Sequence, residues 1–322
     1  MSQSAATLDC PRIALAAASA SEYCESVLAA GGMETWWWQQ GLARFLPYRG
    51  FSRPFRDHDG RWWWRPKPQF AWTMDFFEPL ERAPRFPRFR SVLGCQYPVR
   101  EEQANSLAHF NMIQSVEGYD LDRVASQKRR AIRKGVSHLG IVPLDPNDRQ
   151  TAAEACEVWN SHVDRTGWSR RFDGSTFAKY WRPLADMAAT SVLGARDSRT
   201  GVLCAWLIAR VVEGTAYVDT IASHSDRLEH RPNDTLIFVL LYNAARSEGV
   251  RHAHYFLRSA LDPLEKFKQS LGFDSSGVPA RVEVHWLAAW GLRRFKPQIW
   301  RRLHGDWPSV RAAQFIGWRT PE

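Results

Sequence analysis

The clearest hydrophobic periodicity lies in the C-terminal half of the chain. Leu139 to Leu144 reads as a strand, and Thr151 to Arg165 and Thr176 to Ala189 carry apolar positions at helical spacing. Ser191 to Arg196 reads as a second strand and Asp197 to Gly201 as a turn. Val202 to Val212 is a long β-rich run, Glu213-Gly214 a second turn, and Thr215 to Ala222 another strand, so this stretch predicts an antiparallel meander. A helix follows from Asp234 to Ser247 with Leu236, Val239, Leu240 and Ala244 at helical spacing, Asn233 as its cap and Gly249 as its stop. Its additional apolar residues, Ile237, Phe238 and Leu241, predict burial on more than one side. His252 to Leu257 is the next strand. Asp262-Pro263-Leu264-Glu265 opens a short helix with an acidic cap, Pro at the first position and Glu at the third. Gly272 ends that helix, and Ala280 to Leu287 returns as a strand.

Upstream, Leu121, Val124, Ala125 and Ile132 lie at helical spacing, with Arg123, Arg130 and Lys134 on another face, Arg129 and Arg133 beside it, and Gly135 as the stop. Arg123 to Lys134 holds six basic residues and no acid after Asp122, so either a solvated helix face or an anion site is expected. Residues 33–116 carry many Pro, Arg and aromatic residues, among them Trp36 to Trp38, Trp62 to Trp64 and the run Arg82 to Arg90, and read as short strands and turns. Residues 1–32, Ala- and Ser-rich, are expected to be a mobile or loosely docked start. The organisation that follows is a mobile segment 1–32, an N-terminal subdomain 33–116, a main domain 117–290 and a basic, Trp-rich tail 291–322.

Composition narrows the classes. With 322 residues the chain is long enough for a substantial core, and 44% hydrophobic with 24% charged residues matches a folded protein rather than a disordered one. A net charge of +9 favours anionic partners without choosing among them. Five cysteines, Cys10, Cys24, Cys95, Cys156 and Cys204, show no C-x-x-C spacing, so neither a disulfide framework nor a metal site is expected, and a reducing cytoplasm is the simplest compartment. The apolar run Val202 to Ala209 is far below the ~20 residues a membrane span requires.

The predicted order is β, α, α, β, β, β, α, β, α, β, with a strand, helix, strand crossover after the meander. It resembles the GNAT acyltransferase superfamily, and locally its Fem-like or BioF2-like branch, which includes peptidoglycan aminoacyltransferases. Three segments carry the resemblance: Leu121 to Gly135, His230-Arg-Pro-Asn-Asp-Thr-Leu236, and Glu265-Lys-Phe-Lys-Gln-Ser-Leu-Gly-Phe273. It spans residues 120–290 and implies an α/β (α+β) fold: a mixed sheet with splayed central strands flanked by helices, preceded by a Trp-rich region that is a candidate second, partial GNAT-like domain. The acyl donor would enter between Thr215 to Ala222 and His252 to Leu257. Splayed strands leave backbone N–H and C=O groups that an amide-rich pantetheine arm or an aminoacyl group can pair with, and a helix N-terminus beside them favours donor phosphates. The resemblance has one departure. Acetyl-CoA users carry a glycine-rich Q/R-x-x-G-x-G/A loop, whereas Ser223 to Asp234 holds no glycine.

The resemblance implies that Lys268, at the Lys of the Fem-like F-K-x-x-x-G motif, stands near the transferred carbonyl, where a cation stabilises developing negative charge; the alternative is a surface Lys on an amphipathic helix. Asp219 is the candidate general base and Tyr217 its orienting partner, strand alternation placing both on one side; a strand-end Asp making a turn hydrogen bond is the alternative. His224 is a weaker candidate. The donor-binding set is Arg227, Arg231, Asn233, Asp234, Thr235, Tyr255 and Phe267, although Phe267 also shares a packing face with Leu264 and Leu271. The anion- or acceptor-binding set is Lys128, Arg129, Arg130, Arg133 and Lys134. The expected reaction is direct acyl or aminoacyl transfer to an amine, with acyl-CoA or aminoacyl-tRNA as co-substrate, no tightly bound cofactor and no metal. A noncatalytic RNA- or anionic-glycan-binding module on the same fold is the alternative. The tail interleaves Trp286, Trp290, Trp300, Trp307 and Trp318 with Arg293, Arg294, Lys296, Arg301, Arg302 and Arg311, which fits a packed helix, an RNA or phosphorylated-glycan contact (tRNA included), or an anionic membrane surface.

Overall fold

The computed structural model describes residues 10–31, 33–34, 51–67, 69–74, 76, 78–86, 93–167, 169–258 and 262–305. Trp36 to Trp38, the end of the Arg82 to Arg90 run, and Trp307, Arg311 and Trp318 of the tail lie outside the described residues. The chain folds as two compact units, each a mixed α/β assembly. One comprises residues 1–17, 113–254 and 270–272; the other comprises residues 18–112, 255–269 and 273–322.

The second unit opens with helix α1 (Ala20–Ala29), whose Ser19 and Glu22 form a reciprocal capping box and which buries Cys24 and Val27. The expected loose start therefore does not extend to α1. Two short strands, β1 (Met33–Glu34) and β2 (Phe51–Ser52), pair antiparallel. Strands β3 (Phe55–Arg56), β4 (Trp62–Lys67), β5 (Phe70–Thr73), β6 (Gly94–Pro98) and β7 (Ser106–Ile113) bear out the reading of residues 33–116 as short strands. Trp63 is fully buried and its indole N–H donates to Asp57 at 2.9 Å, while Trp72, Phe76 and Phe110 pack edge to face.

In the first unit, α2 (Ser126–His138) precedes β8 (Leu139–Pro143), α3 (Arg149–Thr166) and α4 (Gly174–Trp181), then β9 (Thr190–Asp197), β10 (Leu203–Val212) and β11 (Thr215–Ser223). Helix α5 (Pro232–Ala244) leads to β12 (His252–Leu257), whose first three residues complete the unit. The strands run β12-β11-β10-β9-β8, antiparallel except for the β11/β12 pair. All ten residues of β10 are buried, and Trp206 on it stacks with Trp159 and meets Trp181 edge on while donating to the Ala155 carbonyl at 3.0 Å. These indoles are core. Helix α5 is buried all round from Leu236 to Leu241, as its extra apolar residues predict.

The second unit continues through α6 (Asp262–Ser270), β13 (Asp274–Val284), α7 (Trp286–Phe295) and α8 (Pro297–Leu303), and its strands run β3-β4-β5-β6-β13-β7. Several boundaries differ from expectation for identifiable reasons. The helix read at Thr176 to Ala189 tightens to a 3-10 turn at Arg182–Ala185, where Pro183 interrupts it. The last strand ends at Val284, and residues through Leu287 turn into α7 instead. Gly135 does not stop α2 but lies inside it, where a Cβ would sit 1.8 Å from Thr235 Oγ1. The glycine is there to let α2 and α5 approach.

Candidate active site

The first candidate site grows from β11. β10 pairs with it along its full length, whereas β12 pairs only Thr215, Ala216 and Tyr217, with His252, Ala253 and His254. From Val218 to Ser223 no described strand pairs with that second edge, so a row of backbone donors and acceptors stands open beside the start of α5. This is the parting of strands that the sequence led us to expect.

Opposite β10, the β11 register slips: Ile208 faces Thr220 and Ala209 faces Val218, leaving Asp219 as the extra residue of a β-bulge. The bulge interrupts the strict alternation expected between Tyr217 and Asp219. Asp219 is joined by Arg210 at 2.9 Å, both side chains being about nine-tenths buried. Burial raises the Asp219 pKa, while Arg210 and a hydrogen bond from Thr220 oppose the rise. Arg210 escaped the sequence reading because it lies in an apolar run; only the strand register brings it to Asp219. Tyr217 meets His254 ring to ring at 5.1 Å.

At the open end of β11, Ser223 Oγ accepts from Asn233 Nδ2 and Arg165 Nη2, each at 3.2 Å. Asn233 is not the helix cap. Arg231 holds that position in a left-handed conformation (φ 58°), with Pro232 beginning the helix. Asp234 is buried against Lys128, and the Thr235 hydroxyl donates to the Arg231 carbonyl at 3.0 Å, so both face inward. Arg227 is half-buried in the preceding turn, Arg231 is exposed, and His224 bonds the amide of Asp226. Of the basic helix, Lys128 pairs with Asp234, and Arg129 folds back onto the Val124 carbonyl at 2.9 Å and Asp122 at 3.4 Å. The partners of Lys128 and Arg129 thus come from outside the run, from Asp234 and from Asp122 just before it. Arg130, Arg133 and Lys134 are exposed.

The second candidate cluster lies on α6. The helix turns its polar residues inward: Glu265 is 7% and Lys268 3% exposed, while Phe267 and Leu264 are half-buried. Lys268 Nζ lies 3.4 Å from Glu265 Oε1 and 4.9 Å from the centre of the Tyr255 ring. Fully buried Asn111 donates to the same Glu265 oxygen at 3.1 Å. Desolvation lowers the Lys268 pKa and Glu265 opposes it; Tyr255 is raised by burial. Glu265 and Asn111 were not singled out from sequence, Glu265 having been read only as a helix-start acid.

No protein-family model matches the sequence, and no curated protein matches it. Among solved structures, the chain is similar to FemX, at 10% identity and a TM-score of 0.56, covering 89% of this chain and 96% of that one. The fold is GNAT-type and Fem-like. It is also similar to L-PGS from Bacillus licheniformis (12% identity, TM-score 0.52, covering 91% and 99%). The C-terminal domain of a lysylphosphatidylglycerol synthetase from Agrobacterium fabrum matches at 10% identity and a TM-score of 0.50, covering 80% and 91%. Coverage near nine-tenths extends the likeness of fold beyond residues 120–290 into the Trp-rich half of the chain. Among the described residues no group of three or more His, Cys, Asp or Glu is placed to hold a metal ion, and no helix is long and apolar enough to cross a membrane.

Proposed function

We propose that the chain is an N-acyltransferase that moves an acyl or aminoacyl group from acyl-CoA or aminoacyl-tRNA to an amine. The observation that carries this reading is the half-open β11: its Val218 to Ser223 edge offers unpaired peptide groups to an amide-bearing donor and ends beside a helix N-terminus. In the reaction the amine lone pair attacks the donor carbonyl, a C–N bond forms, the ester or thioester bond breaks, and the amine proton passes to a base. Asp219 suits the base role because burial raises its proton affinity, and Tyr217 lies two residues away on the same strand. Lys268, at the Lys of the Fem-like motif, is the candidate cation for an oxyanion.

The loop chemistry weighs toward an aminoacyl ester. Pro232 removes one of the N–H groups that a pyrophosphate would use at the start of α5. Arg227, Arg231 and Asn233 remain as the donor-facing set, and Arg130, Arg133 and Lys134 as the exposed cations for an anionic acceptor or tRNA. The likeness of fold to FemX and to the C-terminal domain of a lysylphosphatidylglycerol synthetase is in keeping with the reading. The test is mass spectrometry of amine-bearing peptides and free amino acids after incubation with labelled acetyl-CoA and, separately, with charged tRNA. Transfer from one donor, reduced about 10²–10⁴-fold in Asp219→Asn, is expected. Label transfer from neither donor would refute the enzyme reading and leave the binding-module alternative.

A further inference from the structure

We infer that α7 and α8 form a docking surface for an anionic phospholipid bilayer. On an ordinary surface helix the large apolar residues face the core, and α7 reverses this. Trp286, Leu287 and Trp290 are 70%, 54% and 61% exposed, whereas Ala288, Ala289 and Leu292 are half-buried. At 100° per residue the three exposed side chains fall within one arc of about 100°, and the His285 amide, bonded to the Leu93 carbonyl at 2.7 Å, brings exposed Leu93 to the helix start.

The surrounding charge selects the occupant. From Trp286 to Gly305 there are five basic residues, Arg293, Arg294, Lys296, Arg301 and Arg302, and no acid. Arg293, Arg294, Lys296 and Arg301 are exposed, and the Arg293 guanidinium lies over the Trp300 ring at 4.4 Å. The indoles and Leu287 share this side of the helix with Arg293 and Arg294 near its C-terminal end, whose stems lie along apolar surface while their heads reach the headgroups of an anionic layer. A second copy of the chain is disfavoured, because a two-fold contact would set these cations against one another. RNA would use the rings and the cations but leaves Leu93 and Leu287 without a role.

The experiment is flotation of the full chain with vesicles of phosphatidylcholine alone and of phosphatidylcholine with phosphatidylglycerol. Binding is expected only with phosphatidylglycerol, weakening as salt rises and falling about fivefold for each cation removed in Arg293→Gln and Arg294→Gln. Trp286→Ala/Trp290→Ala should release the protein from the same vesicles with its thermal unfolding unchanged, since both rings already face water. Three results would overturn the proposal: equal flotation with neutral vesicles, flotation unaffected by the tryptophan pair, or a change of sedimenting mass in that pair without a change in flotation. The last would assign the face to self-association. Displacement of flotation by unlabelled tRNA with no phospholipid dependence would assign it to RNA and equally refute the bilayer.

Discussion

Lys268 and Glu265 form a buried ion pair, and its energetics separate a residue kept for chemistry from one kept for stability. With exposures of 3% and 7%, both groups have lost most of their hydration, and their 3.4 Å contact, the Asn111 hydrogen bond and the Tyr255 ring offset that loss only in part. Removing one partner strands the other charge, at about 3–5 kcal/mol, whereas replacing the pair with apolar or neutral groups of similar volume is often neutral or stabilising. Lys268→Met and Glu265→Gln should therefore each lower the stability by about 3 kcal/mol, and the double variant by less than either alone. Urea unfolding of the four proteins at pH 7 closes the cycle, with a coupling larger than about 3 kcal/mol expected. Acyl-transfer activity should stay lost in the double variant although stability returns. Additive stability losses, or activity restored together with stability, would refute the argument that this lysine is retained for the reaction.

Two further outcomes follow from packing and protonation. Gly135→Ala should gain up to about 1 kcal/mol of helix propensity, but its Cβ would lie 1.8 Å from Thr235 Oγ1 and force α2 away from α5; overpacking of about 1–3 kcal/mol wins, so thermal unfolding should show net destabilisation. His162 is pushed down to about 4 by burial and by Arg165. Its folded pKa lies below the unfolded value, so the unfolded chain binds the proton first and stability falls as pH drops from about 6.5 to 4, by about 3 kcal/mol in all. Urea midpoints at pH 7 and pH 4.5 should differ less in His162→Gln than in the natural chain, and an equal difference in both would remove His162 as the cause.

What could be read from the sequence was the local order of elements where patterning is unambiguous. The strand at His252 to Leu257, the long buried helix after Arg231 and the meander between Thr190 and Ser223 follow from periodicity and turn residues alone. Lys268 and Asp219 were reachable through motif and position. Their partners were not, because partnership depends on register. Arg210 reaches Asp219 through a bulge that no pattern announces, and Glu265 and Lys268 face inward on a short helix whose apolar residues argue for the opposite orientation. Gly135 carried a local meaning, helix stop, and a tertiary one, helix contact, and the second prevailed. Tryptophan was ambiguous for the same reason. Trp63, Trp181 and Trp206 are core, while Trp286 and Trp290 face water, and composition treats them alike.

The claim that a donor lies along the open edge of β11 is tested most directly by amide hydrogen exchange of the full chain with and without a non-reactive donor analogue, either a thioether of coenzyme A or an amide-linked aminoacyl-tRNA. The account predicts that the amides between Val218 and Ser223 slow on binding one of the two, while those between Thr215 and Tyr217 change little. Exchange in Val218 to Ser223 left unaltered while an analogue binds elsewhere on the chain would contradict it.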